Sequence, residues 1–303
     1  MVIKRLIFFI IALASANSHC NTLKNQLIED FNYLASDELM GRKTASQGAK
    51  LSREYLMQRL SLLDLEVTEQ YFTYKPTLFK KSEGINIVAQ SPKKLPKVII
   101  TAHYDHLGKR NGKLHLGAND NASGVAAVLY LAASLHRTPL PFELVFVFTD
   151  AEENGLHGSL HFAESINPKD VIMNINLDML GVKERNKRLY ALTSYSLKPH
   201  LQPIFSDLKN IGINLKPAYS SKQMNRLTRS QNIDWHRASD HYSFARNNIP
   251  YVYFGMGHDS YNHTAKDTME HINIHLYINT VTMVEAFIKH LAQVSLVGSK
   301  VDT

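Results

Sequence analysis

Two histidines and three acids, His103, Asp120, Glu153, Asp178 and His263, stand out because each falls at the end of an expected strand or in the loop after it. In open α/β sheets that edge is where residues distant in sequence converge and where ligands bind. Two imidazoles and three carboxylates make a borderline-hard donor set suited to zinc, with cobalt or manganese as substitutes. Five side chains give each of two ions three protein ligands only if one carboxylate is shared. Sharing fits an ion pair about 3.5–4 Å apart, the usual hydrolytic arrangement. Taken singly, any of these residues reads as a cap or a hydrogen-bonded surface group.

Their local wording is more specific. The chain carries, in order, His103-Tyr104-Asp105-His106, Gly117-Ala118-Asn119-Asp120-Asn121-Ala122-Ser123-Gly124, Glu152-Glu153, Asn176-Leu177-Asp178-Met179 and Asn262-His263-Thr264. This ordered set resembles the zinc exopeptidases typified by bacterial leucyl aminopeptidase and shared, with changes, by glutamate carboxypeptidase and glutaminyl cyclase. The resemblance covers nearly the whole chain after its first thirty or so residues. It implies two zinc ions: His103 and Asp178 hold one, Glu153 and His263 hold the other, and Asp120 bridges them. It also implies that Glu152 is the general base, taking a proton from a metal-bridging water and passing it to the leaving amine. A carboxylate beside two cations but not coordinated to them suits that relay.

Asp105, two residues after His103, is expected to assist catalysis by accepting the other ring N–H of that histidine and fixing its tautomer. The resemblance further implies a cis peptide between Asp120 and Asn121. Ala238-Ser239-Asp240-His241-Tyr242-Ser243-Phe244 looks like another family signature, at the substrate end of the site. Bacterial relatives carry a tyrosine just before it that donates to the reacting carbonyl. Here the neighbourhood reads Asp234-Trp235-His236-Arg237, which makes His236 the candidate donor.

The elements that must position these residues follow from periodicity. Apolar residues recur at three- and four-residue steps from Leu23 to Leu65, with a break around Gly41 to Gly48, which predicts two amphipathic helices. Gly84 to Gln90, Lys97 to Ala102, Phe142 to Thr149, Val171 to Asp178, Leu189 to Thr193 and Ile249 to Phe254 read as strands, several of them continuously apolar. Asn121 to Leu135, Leu197 to Lys209 and Ile274 to Leu296 read as helices. Tyr219 to Asp234 is a polar run expected to form loop. The strand-helix-strand order gives an α/β fold: a single domain with a central mixed, mostly parallel sheet and helices on both faces.

The chain has 303 residues, 44% of them hydrophobic, enough for a sizeable core. Its formal charge of +7 is scattered rather than blocked, so no nucleic-acid site is expected. Lys4 and Arg5, an apolar run from Leu6 to Leu13, and Ala14-Ser15-Ala16 have the anatomy of a secretory signal peptide over residues 1–16. The run is too short to span a bilayer, which takes about 20 apolar residues. The mature metallopeptidase domain is then 17–303, exported to the periplasm or beyond, with lipidation at Cys20 a minor alternative. Cys20 is the only cysteine, so no intramolecular disulfide forms.

The leading functional reading is a metallo-aminopeptidase acting on peptides. A carboxypeptidase would need arginines for the substrate carboxylate, for which Arg226, Arg229, Arg237 and Arg246 are candidates, and a glutaminyl cyclase would use one zinc. A binding protein that kept the fold and lost catalysis would have lost ligands or the base, and this chain retains them all.

Overall fold

The computed structural model describes residues 21–77, 80–92, 94–181, 187–209 and 212–294; the expected leader and Cys20 lie outside them. The first half runs α1 (residues 21–34), α2 (Gln47–Ser61), β1 (Glu66–Thr77), β2 (Lys80–Gln90), β3 (Lys97–His103), a small hairpin of β4 (Gly108–Arg110) and β5 (Lys113–His115), α3 (Ser123–Leu135) and β6 (Glu143–Thr149). There follow α4 (His157–Ser165), β7 (Val171–Leu177), β8 (Arg188–Thr193), α5 (Lys198–Asp207), β9 (Asn214–Ala218), α6 (Ser221–Thr228), α7 (His241–Arg246), β10 (Tyr251–Gly255) and α8 (Ile274–Leu291).

Eight strands form one sheet in the order β1-β2-β6-β3-β7-β10-β8-β9. The middle four, β6, β3, β7 and β10, are mutually parallel, and their burial is nearly complete along every residue. Strands covered on both faces have no solvent side to alternate toward, which is why the sequence shows them as apolar runs. Antiparallel pairing appears only toward the margins, between β1 and β2, β2 and β6, and β10 and β8. One face of the sheet is packed by α1, α2, α3, α5 and α8 in a large cluster that includes Phe31, Leu56, Val128, Phe205 and Phe287. The other is packed by α4 and α7 through Phe162 and Phe244, with Met224 of α6 in a smaller aromatic cluster.

The chain leaves β3 for β6 on one side and returns from β6 to β7 on the other, so the strand order reverses at β3. Such a switch point opens a crevice beyond the carboxyl ends of the strands. The parallel registers bring those ends level: His103 lies beside Thr149, and Leu177 beside Phe254. A buried polar network locks the middle strands together. Thr101 Oγ1 donates to Asn176 Oδ1 at 2.8 Å, Asn174 Nδ2 donates to Thr101 Oγ1 at 3.0 Å, and Asn176 Nδ2 donates to Ser239 Oγ at 2.8 Å. Each bond satisfies a group that would otherwise be costly inside the sheet.

Helix α3 presses unusually closely on β7. A β-carbon on Gly124 would stand 2.5 Å from the Leu177 carbonyl oxygen and 2.3 Å from Asn121 Oδ1. The glycine therefore sets how near the loop before α3 can come to the end of β7. Gly124→Ala is expected to lower stability by about 1–3 kcal/mol, as overpacking a tight core does. Urea unfolding checks this, and an unchanged midpoint would mean that the contact is not tight.

Candidate metal centre

Residue by residue, the carboxyl ends of the four parallel strands supply the expected donors. His103 is the last residue of β3, Asp178 follows β7 directly, and Glu152 and Glu153 lie in the turn after β6. His263 comes from the loop after β10 and Asp120 from the irregular turn before α3. The Asp120-Asn121 peptide is cis, as the resemblance implies.

All five come together. His103 Nε2 lies 3.3 Å from Asp120 Oδ1 and 3.5 Å from Asp178 Oδ1. His263 Nε2 lies 3.1 Å from Asp120 Oδ2 and 3.1 Å from Glu153 Oε2. The two oxygens of Asp120 thus face two different histidines. His103, Asp120, Asp178 and Glu153 are nearly enclosed, whereas the His263 side chain is 51% exposed. Burial works against ionising Asp120, but the adjoining imidazoles of His103 and His263 hold it well below the usual carboxylate range. Its hydrogen bonds with Asp120 and Glu153 push His263 up to about 10.

The donor set fits a divalent cation. Three carboxylates are gathered in a space too small for free solvation, and among the described residues His103 Nε2, Asp178 Oδ1 and Glu153 Oε1 have no hydrogen-bond partner of acceptable geometry. Buried polar atoms are rarely left so, and several converging on one space call for an ion. His103 Nδ1 lies 3.1 Å from the Asp105 main-chain oxygen. A carbonyl only accepts, so Nδ1 carries the proton and Nε2 offers its lone pair.

Asp105 departs from its expected role. Its carboxylate stands 3.8 Å from His103 Nδ1, beyond a hydrogen bond, so the main-chain carbonyl fixes the tautomer instead. The carboxylate accepts from the main-chain amides of Glu152 and Glu153, at 3.0 and 3.3 Å. Asp105 thus clamps the turn that carries two of the candidate acids. Burial, with the carboxylates of Glu153, Asp240 and Asp178 nearby, raises Glu152 well above the ordinary glutamate value despite the opposing influence of His103.

The glycine-rich motif before α3 is explained by its contacts. Asp267 accepts from the amides of Asn119 and Asp120 at 2.7 and 3.0 Å, aiming the Asp120 turn. Asn119 Oδ1 accepts from Gly181 N, and Asn121 Nδ2 donates to Leu177 O, stitching the turn to the chain around Asp178. Gly117 has φ +61°, and a β-carbon there would lie 2.1 Å from the Asp120 carbonyl. Only glycine takes that conformation at no steric cost.

Three contributors were not assigned from the sequence. Arg42, within the loop between the first two helices, is fully buried and donates to the carbonyls of Leu34, Tyr104, Leu116 and Gly117. It thereby ties down both ends of the segment from Tyr104 to Gly117 that separates two of the candidate ligands. Asp267 is the second, and only its acidity hinted at a role. The third is His106, whose buried ring places Nδ1 2.7 Å from Glu153 Oε1 and 3.8 Å from Asp120 Oδ2. A histidine three residues after a candidate ligand histidine was the available signal.

His236 is exposed and rests Nδ1 against the Tyr251 hydroxyl at 3.0 Å. It is not brought against the ligands. The candidate arginines are exposed as well: Arg226 on α6, Arg229 just after it, Arg237 donating to the Tyr242 hydroxyl, and Arg246 at the end of α7.

With this geometry in view, comparison with known proteins is decisive at the level of family. The sequence profile of peptidase family M28 matches residues 86–288. The chain belongs to that family. Aminopeptidase YwaD of Bacillus subtilis is 35% identical to it over 129 residues, 40% of this chain and 27% of the relative. The chain thus matches only about a quarter of that relative's length. Among solved structures, a zinc aminopeptidase from Bacillus subtilis superposes with TM-score 0.73 at 17% identity, over 89% of this chain and 95% of the other. A glutaminyl cyclase from Macrostomum lignano gives TM-score 0.70 at 21% identity, over 89% and 90%. At these identities the two structures bear on fold alone. The matched M28 span includes every donor named above and leaves out Arg42.

Arg42→Met is expected to destabilise the chain by about 3 kcal/mol or more, because several buried carbonyls lose their donor at once. Arg42→Lys should recover only part of this, since one ammonium cannot span the guanidinium's fork. Urea unfolding of the two variants measures the difference, and a neutral Arg42→Met would contradict the bracing role.

Proposed function

We propose that this chain is a dinuclear zinc aminopeptidase that removes residues from the free N-terminus of peptides. The observation that carries the reading is Asp120, whose Oδ1 faces His103 and whose Oδ2 faces His263. One carboxylate shared between two donor groups is what a pair of ions requires. His103 and Asp178 would hold one zinc, Glu153 and His263 the other. Bound there, zinc would supply Lewis acidity toward a peptide carbonyl and a water of lowered pKa.

The chain's own residues do the rest. Glu152, held on its turn by the Asp105 carboxylate, accepts a proton at its carboxylate and returns it to the leaving nitrogen. A base that releases its proton again must not be too acidic, and the burial that raises Glu152 in the metal-free chain works in that direction. Tyr253, whose hydroxyl lies 3.5 Å from the Asp178 carbonyl, backs the strand end beneath the site. Aminopeptidase names among the relatives support the substrate class. The second donor group around Glu153 and His263 favours two ions over the single zinc of a cyclase. Among the described residues no arginine hydrogen-bonds or ion-pairs with the ligands, which weighs against a carboxypeptidase.

The test is release of free amino acids from unblocked and N-acetylated peptides, with and without chelator. Unblocked peptides alone should be cleaved, chelator should abolish the activity, and zinc should restore it. Glu152→Gln should keep its zinc while turnover falls by about 10²–10⁴-fold. Equal cleavage of acetylated peptides, or a Glu152 variant of undiminished turnover, would contradict the proposal.

A further inference from the structure

We infer that His106 is a sixth protein ligand of the metal centre, joining Glu153, Asp120 and His263 around one ion. This rests on the dinuclear reading and extends its ligand set. The His106 Nδ1 to Glu153 Oε1 distance of 2.7 Å is short enough for a strong hydrogen bond. Yet among the described residues neither atom has a hydrogen-bond partner of acceptable angle. Two donor atoms this close but misaligned for sharing a proton suit a shared ion, and one ligand atom each of His106, Asp120 and Glu153 lies within 4.8 Å of the others. His103 Nε2 and Asp178 Oδ1 show the same signature at 3.5 Å on the other side of Asp120.

The ring is also built into place. It is 1% exposed, and both of its nitrogens lack a partner among the described residues, so nothing else satisfies it. The His106 amide donates to the Arg42 carbonyl at 3.3 Å, which fixes its main chain to the brace beneath the loop. A β-carbon on Gly117 would lie 2.5 Å from His106 Cγ and Cδ2, so the glycine that lets the Asp120 turn form also makes room for the imidazole. Two imidazole nitrogens with two carboxylates form a donor set that zinc accepts.

The two ions would then differ. The one beside His103 and Asp178 keeps three protein ligands and an open position, the mark of a catalytic ion. The one beside Glu153 gains a buried nitrogen that does not depend on the exposed His263 loop. It would be the more firmly held of the two.

The experiment is calorimetric titration of metal-free protein with zinc, together with visible spectra of the cobalt-loaded form, for wild type, His106→Ala and His106→Gln. The wild type should take up two ions. His106→Ala should weaken one of them by more than the roughly 10- to 100-fold that loss of an outer hydrogen-bond partner costs, leaving the other unchanged. It should also change the cobalt bands of one equivalent only. Glutamine retains an amide that donates to Glu153, so a rescued affinity with unchanged cobalt bands in His106→Gln would show a positioning role and overturn the inference. Two unperturbed ions in both variants would also overturn it. A wild type binding fewer than two ions would instead fail the dinuclear reading, and the sixth ligand with it. Should His106→Ala fold poorly by circular dichroism, the His106→Gln titration and spectra decide alone.

Discussion

Carboxylates repel one another most where water cannot screen them, and this chain holds several together. Asp120, Asp178 and Glu153 meet at the carboxyl ends of parallel strands with Glu152 alongside, and none of the first three has much access to solvent. That concentration of charge is unfavourable in the bare protein. It persists because the main chain is committed elsewhere: to the registers of β6, β3, β7 and β10, and to the side chains that grip each loop. The folded sheet thus gathers acids whose mutual repulsion a bound cation would relieve.

Each loop has its own restraint, and the restraints interlock. Asp267 aims the Asp120 turn, Asn119 and Asn121 stitch it to the chain around Asp178, and Asp105 grips the turn of Glu152 and Glu153. Arg42 holds both ends of the segment between His103 and Asp120 through carbonyls alone. Burial lowers its pKa to about 10, while the surrounding acids, Asp267 and Asp120 foremost, oppose that drop. It therefore remains charged at neutral pH and offsets part of the site's negative field. The second layer is as specific as the first, as expected where ligand orientation sets affinity.

Much of this was legible because the relevant segments are buried on two sides. The four middle strands show as apolar runs, and the helices of the large core show their three- and four-residue spacing; observed ends fall within a few residues of expectation. The long strand β1 went unread. It lies at the sheet margin, paired among the described residues to β2 alone, and from Glu66 to Lys75 its sequence mixes charge and aromatics, with exposed residues between the buried or half-buried ones. Helix α6 was hidden inside a polar run, since only Met224 of it is buried and Ser220 caps its first turn. The five candidate donors could be picked out because each sits in a short motif, and the ordered set of motifs resembles that of a known family. Arg42 was not, because its partners are main-chain carbonyls, which leave no mark on the residues that carry them. Asp105 was found for the right neighbourhood and the wrong contact, since spacing alone does not say whether a side chain or its own carbonyl faces the imidazole.

The proposed dinuclear centre puts Asp120 between two ions. Anomalous diffraction at the zinc edge from crystals of the zinc-loaded protein tests it most directly. Two peaks about 3.5–4 Å apart are expected, one beside His103 and Asp178 and one beside Glu153 and His263, with a different Asp120 oxygen toward each. A single peak, or a second one away from Asp120, would contradict it.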